Sequence, residues 1–131
     1  MPVRGIRGAT TAAENTVDAI VEATTELLAQ LSSINDVDPM EICLAYFTTT
    51  TDLDAEYPAL AARRMGWLQV PLLCGNDMNV AAPNARSVAK CIRILLLYNT
   101  ESAQSEMRSV YLRGAQAIMA DLEKTRMELE Q

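Results

Sequence analysis

The sequence contains no histidine, and this absence removes several kinds of chemistry at once. Histidine is the most common general base in enzymes and the most common zinc ligand in proteins. Catalysis by Ser–His or Cys–His pairs and the usual zinc chemistry are therefore excluded.

Cysteine pairs and long apolar runs are also lacking. The three cysteines, Cys43, Cys74 and Cys91, form no CxxC pair, and an odd number argues against a disulfide framework. The longest apolar run, residues 94–98, is far too short to cross a bilayer, and the N-terminal residues lack the apolar segment of a signal peptide. We therefore expect reduced thiols in a soluble cytoplasmic protein.

Positive charge is scarce, because 11 Lys and Arg residues stand against 17 Asp and Glu residues, which gives a net charge of −6. Nucleic-acid binding depends on a field of Lys and Arg, so this balance disfavours it. If several arginines converge in the fold, an acidic protein can still carry a local anion pocket. The candidates are Arg4, Arg7, Arg63, Arg64, Arg86, Arg93 and Arg108.

The length and composition predict one ordered domain. A chain of 131 residues can bury a real core but is too short for two ordinary domains. Half of its residues are apolar and about a fifth are charged, with no repeat, low-complexity run or linker. We therefore treat residues 1–131 as a single domain.

The first part of the chain predicts a strand followed by a long helix. Residues 3–9 fit a short initial strand better than a helix. Thr11 with Glu14 makes a capping box, and apolar residues recur at helical spacing over residues 17–34. This pattern predicts a helix of about six turns.

The rest of the chain predicts four more strands, a short helix and a helix-like tail. The strands are expected at residues 41–49, 67–74, 89–99 and 106–112, the short helix at 57–65, a loop at 75–87 and the tail from Gly114. Pro71 in the third strand suggests an edge position or a bulge. Five strands with one long helix and shorter ones predict an α/β or α+β domain, whose sheet tends to find cover on its second face from a partner subunit.

Arg93 interrupts an otherwise apolar strand, between Ile92 and Ile94. A guanidinium cannot lose its proton, so in a strand core it leaves an uncompensated charge unless an anion or several acceptors meet it. The residues alone leave open whether the protein or a ligand supplies that anion. A structural ion pair or an interface contact is the more common role for such an arginine.

Several segments together resemble the chorismate mutases of the trimeric α/β class. The segments are RGIRGATT, TDLDAEYPALAARRMGW, VPLLCGNDM, KCIRILLL and VYLRGA. Each is unspecific alone, but they occur in the family's order and at nearly its spacing. The resemblance implies a chorismate-mutase-like core at about residues 3–118, followed by a C-terminal tail at 119–131 that can be helical.

This resemblance implies a fold, an assembly and an activity. The fold would be a mixed five-stranded sheet with one long and one short helix. Three copies would form a homotrimer with a barrel-like core and active sites at the subunit interfaces. The activity would be the conversion of chorismate to prephenate in the shikimate pathway toward aromatic amino acids, with no cofactor or metal and no nucleic-acid or membrane partner. Because that rearrangement is concerted and unimolecular, the lack of histidine is no handicap.

The resemblance also implies the site residues. Arg7 resembles the arginine that grips a substrate carboxylate, and Arg93 resembles the one that meets the ether oxygen of the breaking bond. Asp77 falls where the family usually has a glutamate that hydrogen-bonds the substrate hydroxyl. Further substrate contacts are implied for Arg63, Cys74 and Tyr111, with apolar walls from Tyr57, Ala59, Leu73 and Ile118. The anion that neutralises Arg93 would then be the substrate.

The match has departures, and two other functions stay open. The aspartate is one methylene shorter than glutamate, the loop at residues 79–87 is a few residues longer than usual, and Leu60 and Met119 stand where the family can carry basic residues. One alternative is a trimeric imine deaminase of the same fold, and the other is a non-catalytic module that binds a carboxylate metabolite. The residues around Arg93 and Asp77 favour the mutase.

Overall fold

The computed structural model describes residues 1–81, 83–84 and 86–131. The helices and strands occur in the order β1 (Val3–Thr11), α1 (Val17–Asn35), β2 (Ile42–Thr49), α2 (Ala59–Arg64), β3 (Leu72–Asn76), β4 (Cys91–Asn99), β5 (Val110–Tyr111) and α3 (Gln116–Leu129). Short 3-10 turns lie at Pro39–Glu41, Gln104–Glu106 and Arg113–Ala115. The predicted fold class, a mixed five-stranded sheet with helices, is confirmed.

The five strands form one sheet in the order β3-β2-β4-β1-β5. Strand β4 is central and runs antiparallel to both of its neighbours, β2 and β1. The edge strands β3 and β5 run parallel to β2 and β1. The edge position of β3 agrees with the expectation from Pro71, which directly precedes it.

One face of the sheet is covered by α1 and α2. On β4, Ile92, Ile94 and Leu96 are buried. Ile94 and Leu96 belong to a core with the buried leucines of α1, and Ile92 belongs to a second cluster that contains Ile20 and Ala23 of α1. The alternate positions of the strands point to the opposite side, because side chains alternate along a strand. We call this side the open face. Its residues include Arg7, Leu44, Tyr46, Thr48, Leu73, Arg93, Leu95 and Leu97, all half-buried or exposed.

Helix α1 begins later than its predicted cap. Thr11 is the last residue of β1, and its hydroxyl accepts a hydrogen bond from the Gly114 amide at 3.1 Å. The N-cap is Thr16, whose extended backbone lets its hydroxyl accept from the Ala19 amide at 3.1 Å. The predicted capping box of Thr11 and Glu14 is therefore wrong, because Thr11 belongs to β1 and does not cap the helix.

The third and fifth strands are shorter than predicted. Trp67 is buried in the core. Its amide donates a hydrogen bond to the Ala62 carbonyl at the end of α2, so the backbone at Trp67 is still part of the turn that ends this helix. Strand β3 consequently begins at Leu72, and the predicted strand at 67–74 is wrong in its bounds. In the last strand only Val110 and Tyr111 pair with β1. The helix-like tail forms α3.

The loop between β3 and β4 carries hydrogen bonds of its own. The Asn84 side chain accepts from the Arg86 amide at 2.9 Å, and the Ser87 hydroxyl donates to the Val80 carbonyl at 2.9 Å. Two positions of the predicted loop, 82 and 85, lie outside the described residues. Across the described ranges, each helix is too short or too polar to cross a membrane.

Candidate active site

Arg93 lies on the open face of the central strand. Its register partners are Thr48 on β2 and Ala9 on β1, and its side chain is 45% exposed. The prediction that Arg93 is buried in a strand core is wrong, because β4 buries only every second residue. The arginine occupies an accessible position on a rigid element.

The protein itself supplies an anion to Arg93. The Asp77 carboxylate meets it through an ion pair between Nε and Oδ2 at 3.2 Å. Thr48 donates its hydroxyl to the other oxygen, Oδ1, at 2.5 Å, and the Asp77 side chain is only 15% exposed. The expectation that the substrate is the anion that neutralises Arg93 is therefore wrong, because Asp77 of the same chain already pairs with it. Because Thr48, Asp77 and Arg93 form one connected chain of contacts, the guanidinium is held in a defined direction.

A cleft of about 470 Å³, which we call the arginine cleft, lies over the open face beside β1 and β5. It brings together four of the predicted site residues, namely Arg7, Arg93, Tyr111 and Ile118, with Arg86 as a further cation. Arg7 is opposite Leu95 in the register, so it is a diagonal neighbour of Arg93 on the same face. The cleft therefore concentrates positive charge in an acidic protein.

A second cleft of about 670 Å³, the loop cleft, adjoins the first. It lies between the end of β2 and the loop that joins β3 to β4, and Asp77 lines it. Arg86 and Arg93 line both clefts. Arg86 and Arg93 thus lie at the junction, with Asp77 in the loop cleft and Arg7 in the arginine cleft.

The remaining five predicted residues form a second group near the opposite edge of the sheet. They are Tyr57, Ala59, Arg63, Leu73 and Cys74, on or beside α2 and β3. Two strands separate β3 from β1, which corresponds to about 14 Å between their backbones. Within one chain, this group is therefore apart from Arg7, and its members are not among the described residues that line the arginine cleft.

The second group combines exposed apolar side chains with a thiol. Tyr57 is 71% exposed and Leu73 is 65% exposed. Burial raises the pKa of the Cys74 thiol, while the Ala59 backbone and the Arg63 charge act in the opposite direction with less effect. Cys74 is therefore a protonated thiol at neutral pH, and the exposed Tyr57 and Leu73 are available for contacts with another molecule.

Sequence reasoning did not assign a site role to Thr48 or Arg86. Thr48 belongs to the site because the pairing of β2 with β4 places it opposite Arg93, and this register cannot be read from either strand alone. Arg86 was only one of several arginines, on a loop without a periodic pattern. Its position depends on how the loop folds back over the sheet.

The model of the family described as chorismate mutase type I matches residues 3–122. This match covers nearly the whole chain, from β1 into α3. The chain belongs to the chorismate mutase type I family. The resemblance found in the ordered sequence segments is confirmed, and chorismate mutase, an isomerase of aromatic biosynthesis, is the function that family membership supports.

Two bacterial relatives agree with this assignment to the chorismate mutases. Chorismate mutase AroH of Thermus thermophilus is 43% identical over 122 residues, which span 92% of this chain and 97% of that protein. Chorismate mutase AroH of Bacillus subtilis is 35% identical over 127 residues, which span 96% of this chain and 97% of that protein. The similarity therefore extends over essentially the full length of both relatives.

A solved chorismate mutase structure has the same fold. The enzyme from Clostridium thermocellum matches with a TM-score of 0.80 and 43% sequence identity. The match covers 86% of this chain and 96% of that chain. Sheet topology and family membership therefore agree.

Proposed function

We propose that this chain converts chorismate to prephenate in the arginine cleft, completed in a homotrimer by the second group of residues from a neighbouring copy. One observation carries the proposal: Arg7 and Arg93, from adjacent strands, line a single cleft, and Asp77 fixes the second of them. Two guanidinium groups in one cleft, one of them held by Asp77, suit a dianionic substrate that needs no proton transfer.

Substrate binding is assigned first to Arg7. Its planar fork can pair with a carboxylate in two parallel hydrogen bonds. Tyr111 and Ile118 line the same cleft and give it an apolar wall. Such a wall favours the compact, reactive conformation of the substrate, because the extended form exposes more of its apolar surface to water.

Arg93 is assigned to the transition state. The ether oxygen of the substrate becomes more negative as its C–O bond stretches, so a fixed guanidinium near it binds the transition state better than the ground state. A preorganised donor of this kind contributes about 3–4 kcal/mol. The contact with Asp77 uses Nε and leaves the side chain 45% exposed, so the rest of the guanidinium is accessible to substrate.

Asp77 is assigned two roles. It orients Arg93, and it accepts a hydrogen bond from the substrate hydroxyl. Its oxygens already accept from Arg93 and Thr48, but each carboxylate oxygen has two acceptor positions. The shorter side chain of aspartate thus remains compatible with a role at the substrate while it holds the arginine.

The open face supports the proposed homotrimer. Leu73, Tyr46 and Leu95 follow one another across three adjacent strands, and Leu73 and Leu95 are 65% and 43% exposed. A contiguous exposed apolar surface marks an interaction site. In a closed ring of three, each interface joins two different surfaces. The β3 edge of one copy would then complete the arginine cleft of the next.

The test is a spectrophotometric assay of purified protein with chorismate. We expect the diene absorbance of chorismate to disappear faster with protein than without it, and Arg93→Ala to lower turnover by about 10²–10³ without changing the oligomeric mass. Wild-type protein that does not accelerate this loss would contradict the proposal. Ammonia release from an imino acid would instead identify a deaminase, and tight chorismate binding without turnover would identify a binding module.

A further inference from the structure

Arg86 occupies a position that the assigned roles leave unused. It lines both the arginine cleft and the loop cleft, and among the described lining residues only Arg93 shares this property. The two guanidinium groups therefore approach the same space from different elements. Arg93 comes from the floor of the sheet, and Arg86 comes from the loop above it.

The loop holds Arg86 at this position through local hydrogen bonds. The Asn84 side chain accepts from the Arg86 amide at 2.9 Å, and the Ser87 amide donates to the Asn84 carbonyl at 3.1 Å. The Ser87 hydroxyl closes the base of the loop on the Val80 carbonyl at 2.9 Å. The amides of Arg86 and Ser87 are thus both hydrogen-bonded to Asn84.

The side chain of Arg86, in contrast, is held weakly. Its ion pair is with Asp121 of α3, between Nη1 and Oδ1 at 3.8 Å, and the two side chains are 68% and 30% exposed. A pair this long and this accessible to solvent contributes little stability. A carboxylate that could pair with both ends of the guanidinium fork would replace it readily.

We propose that Arg86 is a further substrate-binding residue, which exchanges its contact with Asp121 for a carboxylate of the bound dianion. This inference rests on the proposed function. Chorismate carries two carboxylates, whereas Arg7 is assigned to one of them and Arg93 to the ether oxygen. Arg86 supplies a cation for the second carboxylate on the same chain and at the same cleft.

Asp121 allows a test in which two substitutions should change substrate binding in opposite directions. Among the described residues that line the arginine cleft it is the acidic one, so it repels an incoming dianion and competes for Arg86. Removing its charge frees the arginine and lowers the repulsion. Removing the charge of Arg86 leaves Asp121 unopposed. The two substitutions break the same ion pair but have opposite expected effects on substrate binding.

The experiment measures kcat and KM for Arg86→Gln, Arg86→Lys, Asp121→Asn and the control Arg126→Gln. The control removes the same charge from α3, where Arg126 pairs with Glu123 at 2.6 Å and lines neither cleft. We expect Arg86→Gln to raise KM about tenfold with kcat changed less than about twofold, as for one accessible charge-assisted contact. Arg86→Lys should recover part of this loss, and Asp121→Asn should lower KM.

Two outcomes would overturn the proposal. If Arg86→Gln and Arg126→Gln have the same KM, Arg86 does not contact the substrate. If Arg86→Gln and Asp121→Asn raise KM equally, the ion pair is only a structural link between the loop and α3. Should wild-type protein show no turnover, the proposed function fails, and calorimetry with chorismate still tests Arg86. Weaker binding by Arg86→Gln would support the contact, and unchanged binding would exclude it.

Discussion

The Asp77 carboxylate changes what Arg93 can do. A free guanidinium would present its full charge in many directions, whereas the pair at 3.2 Å fixes one edge of it. The nearby negative charge weakens the electric field of Arg93 in the cleft, but the direction of its remaining donors is set before any ligand binds. Preorganised donors are effective in catalysis for this reason. Activity should therefore depend on the planar shape of the side chain at position 93 as well as on its charge.

We expect Arg93→Lys to restore little of the activity that Arg93→Ala loses. The alanine variant should lower kcat by about 10²–10³, as expected for the loss of one preorganised donor. Lysine keeps the charge but lacks the planar fork that contacts Asp77 and a ligand together. Steady-state kinetics with chorismate measure this. Arg108→Ala, at an exposed position, is the matched control, and a lysine variant with wild-type kcat would contradict the role assigned to the fork.

Cys91 leads to a prediction about alkaline pH. Burial is the main cause that raises the pKa of its thiol above the ordinary value of 9.0, although the nearby Arg93 charge acts in the opposite direction. Above that value the unfolded thiol has lost its proton while the folded one keeps it. The unfolded state then binds fewer protons, so the free energy of unfolding falls as pH rises. Below the pKa of the unfolded thiol both states keep the proton, so the contribution of Cys91 to the free energy of unfolding does not change with pH.

The measurement is urea unfolding at pH values of about 8 and 10. Wild-type protein should lose more stability over this interval than Cys91→Ala, because the variant has no thiol to ionise at that position. Equal losses in the two proteins would show that Cys91 does not contribute to the pH dependence.

At the scale of helices and strands, long elements with a clear hydrophobic period could be predicted, and short elements set by contacts could not. The stripe of α1 and the apolar run of β4 are visible in the sequence alone. The start of β3 instead depends on the amide of Trp67, which remains hydrogen-bonded to the end of α2. Strand β5 exists only where Val110 and Tyr111 meet β1.

The N-cap of α1 allows a stability test. Thr16→Ala removes the hydroxyl that accepts from the Ala19 amide, so it should lower the free energy of unfolding by about 1 kcal/mol. Thr16→Ser keeps that oxygen and should stay close to wild type. Thermal or urea unfolding measures both. Equal stability of the alanine and serine variants would show that the cap hydrogen bond has no net effect.

At the scale of the whole molecule, the site depends on information that a single sequence carries only in part. The resemblance in the sequence motifs assigns the arginines and Asp77 to the site, and this assignment stays a prediction. Their distribution over the fold could not be predicted, because it depends on the strand order, which places Arg7 beside Arg93 and leaves Arg63 near the other edge. Strand pairing between distant segments is a property of the folded chain.

Charging the open face should dissolve the proposed trimer. Leu97 is half-buried on this face, between Gly5 on β1 and Leu44 on β2. Leu97→Glu would place a carboxylate in the proposed subunit interface, where removing the charge from water costs free energy, so we expect a monomer of 14.4 kDa by light scattering. Met40→Glu is the control, because Met40 is 70% exposed on a 3-10 turn. A wild-type monomer would contradict the assembly.

The separation of the predicted residues into two groups predicts that two inactive variants can complement each other. If each catalytic centre takes Arg93 from one chain and Arg63 from another, a mixed oligomer of two inactive variants can contain an intact catalytic centre. After Arg93→Ala and Arg63→Ala chains are unfolded and refolded together in equal amounts, about a quarter of the interfaces should combine two intact halves. Complementation of this kind would appear as recovered turnover in the mixture. If each centre is built within one chain, the mixture should show no recovered turnover.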